Sequence, residues 1–201
     1  MKLKKKASSP KKGLSINFNP KKDFICLVGD NNSGKTQFIL NFWLKNLDLD
    51  NVYVLNSSRE SSWKDFGIPE RNIIKPVKFT TKWFDVFLLD FVSNHSNCVL
   101  VIDDSDNYSV KESEVLKSVV INARHMGISI ILAARGLQSI PRILYKQAHY
   151  LCLGNQNVRY DTIYISFVIG EAANKLADLQ KFEFMLYDLH ERKYNFVKLK
   201  L

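Results

Sequence analysis

Residues 29–36 read Gly-Asp-Asn-Asn-Ser-Gly-Lys-Thr and follow directly on the apolar run Phe24-Ile25-Cys26-Leu27-Val28. The spacing G-x-x-x-x-G-K-[ST], set between a buried strand and a helix, is that of a phosphate loop, and it restricts the chain to a small set of α/β architectures. The helix is announced by Phe38, Ile39, Leu40, Phe42, Trp43 and Leu47. Each fixed residue has a mechanical reason. Gly29 and Gly34 allow turns that a side chain would block, so the N–H groups of Asp30, Asn31, Asn32, Ser33 and Gly34 converge on phosphate oxygens at a helix N-terminus. Lys35 is placed to reach the β- and γ-phosphates, and the Thr36 hydroxyl to hold Mg²⁺. The motif predicts a nucleoside triphosphate site.

The remaining pattern alternates strands with helices. Strands are expected at residues 51–56, 98–102, 128–134 and 149–153, with a short one at 72–74. Helices are expected near 81–93, after Ser109 and near 140–147. Ser109-Val110-Lys111-Glu112 reads as a capping box opening a helix that carries Val115, Leu116, Val119, Val120 and Ala123 on one face and stops at Gly127. Residues 182–187 and 194–197 flank a turn and read as a hairpin. Alternation of this kind gives a mostly parallel central sheet with helices on both faces, closed by a C-terminal β-hairpin. Trp43, Trp83 and Phe87 read as core, and Trp63 as a surface contact or a small packing anchor.

The net charge of +9 suggests a polyanion partner until its distribution is considered. Residues 1–22 hold eight lysines and no acid, leaving 21 basic against 20 acidic residues elsewhere. The expected organisation is a basic, largely disordered arm over residues 1–20 and one phosphate-loop domain over 21–201. The arm suits nucleic-acid phosphates or mere solubility equally well. No apolar run of membrane-spanning length occurs, and no secretory signal follows the lysines. Cys26, Cys98 and Cys152 each sit in an apolar run, odd in number and without C-x-x-C, so they read as core thiols.

Whether the γ-phosphate is cleaved depends on the next carboxylates. The run Cys98–Ile102 ends in Asp103-Asp104, at the strand terminus that faces the ligand crevice in an open α/β sheet. Asp103 is assigned to Mg²⁺, through water, and Asp104 to orienting or deprotonating the attacking water. The pair suits a hydrolase better than a small-molecule kinase, which needs a second pocket and a basic lid.

With these residues in place, the chain resembles the HerA/FtsK superfamily of ring-forming DNA-pumping ATPases. Among them it is most similar to the small genome-packaging ATPases of double-stranded DNA viruses, of the poxvirus type and of archaeal and bacterial icosahedral viruses. The resemblance rests on the phosphate loop, Asp103-Asp104, Arg124-His125-Met126-Gly127-Ile128-Ser129 leading into a strand, and Ile140-Pro141 before the last parallel strand. It spans roughly residues 20–198. It implies that the strand at 128–134 is inserted between the first strand and the one ending at Asp103. It also implies Mg²⁺-dependent ATP hydrolysis, a hexameric or pentameric ring, sequence-independent grip on double-stranded DNA, a capsid vertex partner, and a location in host cytoplasm and virion. Ring motors need an arginine from the neighbouring subunit. Arg124 is the first candidate; Arg135, Arg142 and Arg59 are lesser ones, and Glu60 is an additional carboxylate. Members of the group carry a sensor Gln after the 128–134 strand, where this chain has Arg135, with Gln138 three residues on. A cellular or conjugative pump, a nucleotide-gated nucleic-acid binder and a small-molecule phosphotransferase are the competing readings.

Overall fold

The computed structural model describes residues 18–57, 62–155 and 159–199, excepting the side chains of 159–161. The lysine-rich arm, up to residue 17, lies outside the described residues, as do Arg59 and Glu60. In chain order the strands are β1 (Phe24–Val28), β2 (Val52–Leu55), β3 (Ile73–Ile74), β4 (Cys98–Ile102), β5 (Ile128–Ala134), β6 (Tyr150–Leu153), β7 (Glu183–Asp188) and β8 (Lys193–Lys198). The helices are α1 (Lys35–Phe38, continued with wider π winding over Ile39–Leu44), α2 (Ser62–Asp65), α3 (Thr81–Asn94), α4 (Glu114–Met126), α5 (Arg142–Gln147) and α6 (Arg159–Ile169).

One sheet holds all eight strands in the order β3-β2-β4-β5-β1-β6-β7-β8. The first six in chain order pair in parallel, while β6–β7 and β7–β8 are antiparallel. This is the fold of a phosphate-loop NTPase. β5 lies between β1 and β4, with Leu132 opposite both Cys26 and Ile102. The insertion implied by the family resemblance is therefore present.

The central strands are buried on both faces because helices cover both, which is why they read as unbroken apolar runs. Alternation along β1 shows the division: Phe24, Cys26 and Val28 face a core with α3 to α6, and Ile25 and Leu27 face a second core with α1 and Trp63. Covering is uneven, with four helices on one face and chiefly α1 on the other. The all-round apolar character of α1 follows from its position, since Phe38, Ile39, Leu40, Trp43 and Leu44 are all buried. The three cysteines are buried free thiols.

Two sequence expectations are corrected. Ser109 does not cap α4: it sits in left-handed backbone at φ 50°, followed by a short 3₁₀ turn. The cap is Ser113, whose Oγ accepts from the Leu116 N–H at 2.8 Å and donates to Asp85 on α3. Trp63 is fully buried, which decides between its two readings in favour of the packing anchor. Helix α6 and the 3₁₀ segment Gly170–Asp178 that follows it occupy a region where the sequence announced neither. Of the expected core aromatics, Trp43 is buried, whereas Trp83 and Phe87 are half-buried and stack on each other at 5.6 Å.

Candidate functional site

Parallel pairing brings the C-terminal ends of β1, β4 and β5 to one sheet edge. The Gly29 N–H extends the β1 ladder to Ala134 O at 3.2 Å, and the Asp103 N–H bonds Leu55 O at 3.1 Å. The phosphate loop, the carboxylate pair and Arg135 thus emerge side by side from strands that are far apart in sequence. The loop turns back through Asn32 (φ 62°) and Gly34 (φ 98°), both left-handed. A Cβ on Gly34 would lie 2.3 Å from Cδ1 of Phe182, so this glycine is required by both its torsion and its neighbour. A Cβ on Gly29 would lie 2.7 Å from Ser33 Oγ.

Lys35 is 7% exposed, and its ammonium donates to Gly29 O at 2.8 Å and Asp30 O at 3.2 Å. Burial lowers its pKa, opposed by the charges of Asp104, Asp103 and Asp106. The Thr36 hydroxyl donates to Asp103 Oδ2 at 3.2 Å, which brings the phosphate loop into contact with the end of β4. Asp103 is 3% exposed, and burial together with the adjacent Asp104 pushes its carboxyl up to about 6. Its other oxygen accepts from the Asp104 N–H at 3.1 Å. Asp104 adopts left-handed backbone (φ 48°), which turns the chain away from β4 into the 3₁₀ turn Ser105–Tyr108. That turn is tied down twice: Asp106 Oδ2 accepts from the Arg135 N–H at 2.7 Å, and Asn107 Nδ2 donates to Ser57 Oγ at 2.9 Å.

A cavity of about 390 Å³ opens over this edge, lined by loop residues, Thr36, Gln37, Asp103 and Asp104. Two further lining residues, Lys181 and Phe182, were not singled out from the sequence. Phe182 enters β7 in left-handed backbone (φ 66°), gives its N–H to Ser33 O at 3.0 Å, and packs its ring on Gly34. The Lys181 ammonium lies 4.9 Å from that ring's centroid. Nothing in the local sequence marks them, because their role comes from the β6–β7 connection returning to the loop.

Of the loop N–H groups expected to meet phosphate, that of Asp30 is given to Asn155 O and that of Ser33 to Asp30 O, both at 3.1 Å, so those two serve the loop's own structure. The remaining loop backbone, the buried Lys35 cation and the hard oxygen donors suit a phosphate chain with a divalent cation. The Thr36 hydroxyl and Asp103 carboxylate fit Mg²⁺ by donor type, and Asp103's raised pKa reflects a buried carboxylate that a cation would relieve.

The arginines separate into two groups. Arg135 is exposed at the phosphate edge, close enough for its charge to act on Lys35, and exposed Gln138 follows it. Arg124 is exposed in the last turn of α4, which runs back to the start of β5. The seven residues of β5 separate it from its own phosphate loop by about 20 Å at roughly 3.3 Å per residue. Arg142 is exposed at the first position of α5.

Comparison with solved structures places the fold among packaging and secretion ATPases. The genome packaging NTPase of Sulfolobus turreted icosahedral virus 2, in complex with ATP-gammaS, superposes with a TM-score of 0.77 at 20% identity, covering 92% of this chain and 100% of that one. The DNA-packaging ATPase of Sulfolobus turreted icosahedral virus gives 0.76 at 20% identity over the same shares. The cytoplasmic domain of the Thermomonospora curvata type VII secretion ATPase EccC gives 0.55 at 13% identity, covering 86% of this chain and 23% of that one. No family model and no curated protein matches the sequence.

Proposed function

We propose that this chain is an ATP-hydrolysing motor that moves double-stranded DNA and packages a viral genome into a preformed capsid. The observation that carries the reading is the contact between Thr36 and Asp103, which joins a complete phosphate loop to a carboxylate pair on a fold shared with packaging NTPases.

In this reading the remaining loop N–H groups and Lys35 bind the β- and γ-phosphates, and Lys35 offsets charge as the terminal phosphoryl leaves. Thr36 and Asp103 hold Mg²⁺, which supplies charge neutralisation on the phosphate oxygens when bound. Asp104, turned out of the strand line by its left-handed backbone, orients the attacking water and takes its proton. Arg135 occupies the sensor position and reports the γ-phosphate to the β5 end of the sheet.

Arg124 is assigned to act in trans: its place at the far end of β5 from its own loop suits the neighbouring subunit's site in a head-to-tail ring better than its own. ATP then closes the subunit boundary, hydrolysis opens it, and DNA-facing groups move with the change. The body, nearly neutral outside the lysine arm, grips duplex phosphates without reading sequence. The capsid vertex is the partner, and host cytoplasm and virion are the locations. No helix among the described residues is long and apolar enough to cross a membrane.

The test is ATP turnover with and without linear double-stranded DNA across protein concentrations, for wild type, Lys35→Ala and Arg124→Ala. Stimulation that grows with assembly and is lost in both variants is the expected result. Turnover indifferent to DNA and concentration would replace the motor with a nucleotide-gated binder.

A further inference from the structure

A cavity larger than the one at the phosphate loop lies elsewhere among the described residues. It is a cleft of about 760 Å³ at the opposite sheet edge, between α5, the end of α6 and the β7–β8 turn. Its charged lining residues are Arg142, Lys146 and Arg192, with no carboxylate among them. All three are exposed, and none forms an ion pair among the described residues. Three unpaired cations around one concavity set up a positive field focused by its walls, which selects an anion.

The uncharged lining narrows the class of anion. Tyr145, 2% exposed at the base, donates its hydroxyl proton to Tyr164 at 3.1 Å, which leaves the Tyr164 proton free to be donated onward. Phe167 on α6 is 81% exposed at the same cleft. A large apolar ring held in water beside arginines is costly for a solvated surface and useful as a platform for a flat π system. Cations and a hydroxyl donor for phosphates, with an aromatic face for a base, form the pairing that binds single-stranded nucleic acid. A cleft of this volume accommodates a short stretch of one strand.

The β7–β8 turn borders a second region of positive charge. The lysine-rich N-terminal segment joins the fold at Phe18–Lys22, beside the start of β6 and next to His190 of the β7–β8 turn. That turn also supplies Arg192 to the cleft. The segment itself joins on the other face of the sheet, where Phe18 packs on Trp43 at 5.3 Å, so it shares with the cleft only the β7–β8 turn.

We propose that this cleft is a binding site for single-stranded nucleic acid, remote from the nucleotide site, with Arg142, Lys146 and Arg192 on the phosphates and Phe167 under a base. The proposal deepens the DNA-motor reading by naming a surface that holds an unpaired strand, such as the frayed end of a duplex. An acidic protein segment would use the same cations but leave Phe167 without a role.

The test is fluorescence anisotropy of the full-length chain with labelled oligo-dT and with a duplex of equal length, over a salt series. Combined Arg142→Glu, Lys146→Glu and Arg192→Glu should weaken oligo-dT binding more than tenfold and flatten its salt slope by about 2, at about 0.7 per phosphate contact. Phe167→Ala, a change at an exposed position, should weaken oligo-dT by about fivefold or more and the duplex by less. Affinity for a fluorescent ATP analogue should be unchanged in both variants, which reports an intact fold. Wild-type oligo-dT affinity in the triple variant would overturn the proposal. So would displacement of the oligonucleotide by polyglutamate together with an indifferent Phe167→Ala. Loss of DNA-stimulated hydrolysis in wild type would sink the motor reading while leaving the cleft measurement intact, so the two failures are distinguishable.

Discussion

The two edges of the sheet present opposite solutions to binding an anion. At the C-terminal edge the positive partners are chiefly backbone N–H groups, held in place by left-handed residues at Asn32, Gly34, Asp104 and Phe182 and supplemented by one buried lysine among three aspartates. At the N-terminal edge they are exposed side chains on α5 and the β7–β8 turn, around a cleft whose lining holds no carboxylate. The first edge is rigid and chemically mixed, which suits positioning a phosphate for cleavage. The second carries only cations among its charged lining residues and is solvated, which suits a grip that forms and releases. On the proposed function, separating the two across the length of β5 would keep the carboxylates assigned to hydrolysis away from the polyanion they would repel.

If the division is real, a change at one edge should leave the other's function alone. Asp104→Asn carries the largest expected effect. Turnover should fall by about 10² to 10⁴, the usual contribution of a general base, while ATP and nucleic-acid affinities stay near wild type. Turnover is read by phosphate release and affinity by titration with a fluorescent nucleotide. Loss of ATP binding itself would make Asp104 a metal ligand and move the water-orienting role elsewhere.

Gly34→Ala sharpens the account of how the first edge is held rigid. The left-handed torsion costs an alanine about 1–2 kcal/mol, and the Phe182 ring stands where the new Cβ must go. Nucleotide affinity should drop by about tenfold in Gly34→Ala, and Phe182→Ala in the same chain should restore part of it. A double variant no better than the single would show that torsion alone matters and that Phe182 does not brace the loop.

What the sequence discloses follows the same geography. The phosphate loop is contiguous and its strand is a bare apolar run, so residues 24–36 announce the C-terminal edge by themselves. Asp103 and Asp104 are legible because they end the next run of that kind. The insertion of β5 between β1 and β4 came from the family resemblance, since no local pattern fixes the order of parallel strands. Phe182 and Lys181 were invisible because a chain reversal, not a motif, returns them to Gly34. The cleft is built from positions 142, 146, 167 and 192, on three elements, and one of those, α6, exposes Ile163 and Phe167 where an amphipathic helix would place polar residues. The misread cap has a similar cause: Ser109-x-x-Glu112 satisfies the local rule, but Ser113 is the residue that a tertiary partner, Asp85, holds in place.

The smallest expected effect tests the second edge from outside the cleft. Deleting residues 2–12 removes six lysines from the segment that joins the fold beside the β7–β8 turn. If those lysines extend the grip, duplex affinity should fall severalfold at moderate salt, and the slope of log affinity against log salt should become shallower by at least about 1, close to the share of a single phosphate contact. ATP affinity should not move, because the segment joins at the far end of β1 from Gly29. An unchanged salt slope would confine the grip to the folded body and reduce the lysine segment to a solubilising terminus. A changed ATP affinity would break the comparison itself, since it would couple two edges that the fold keeps the full length of a strand apart.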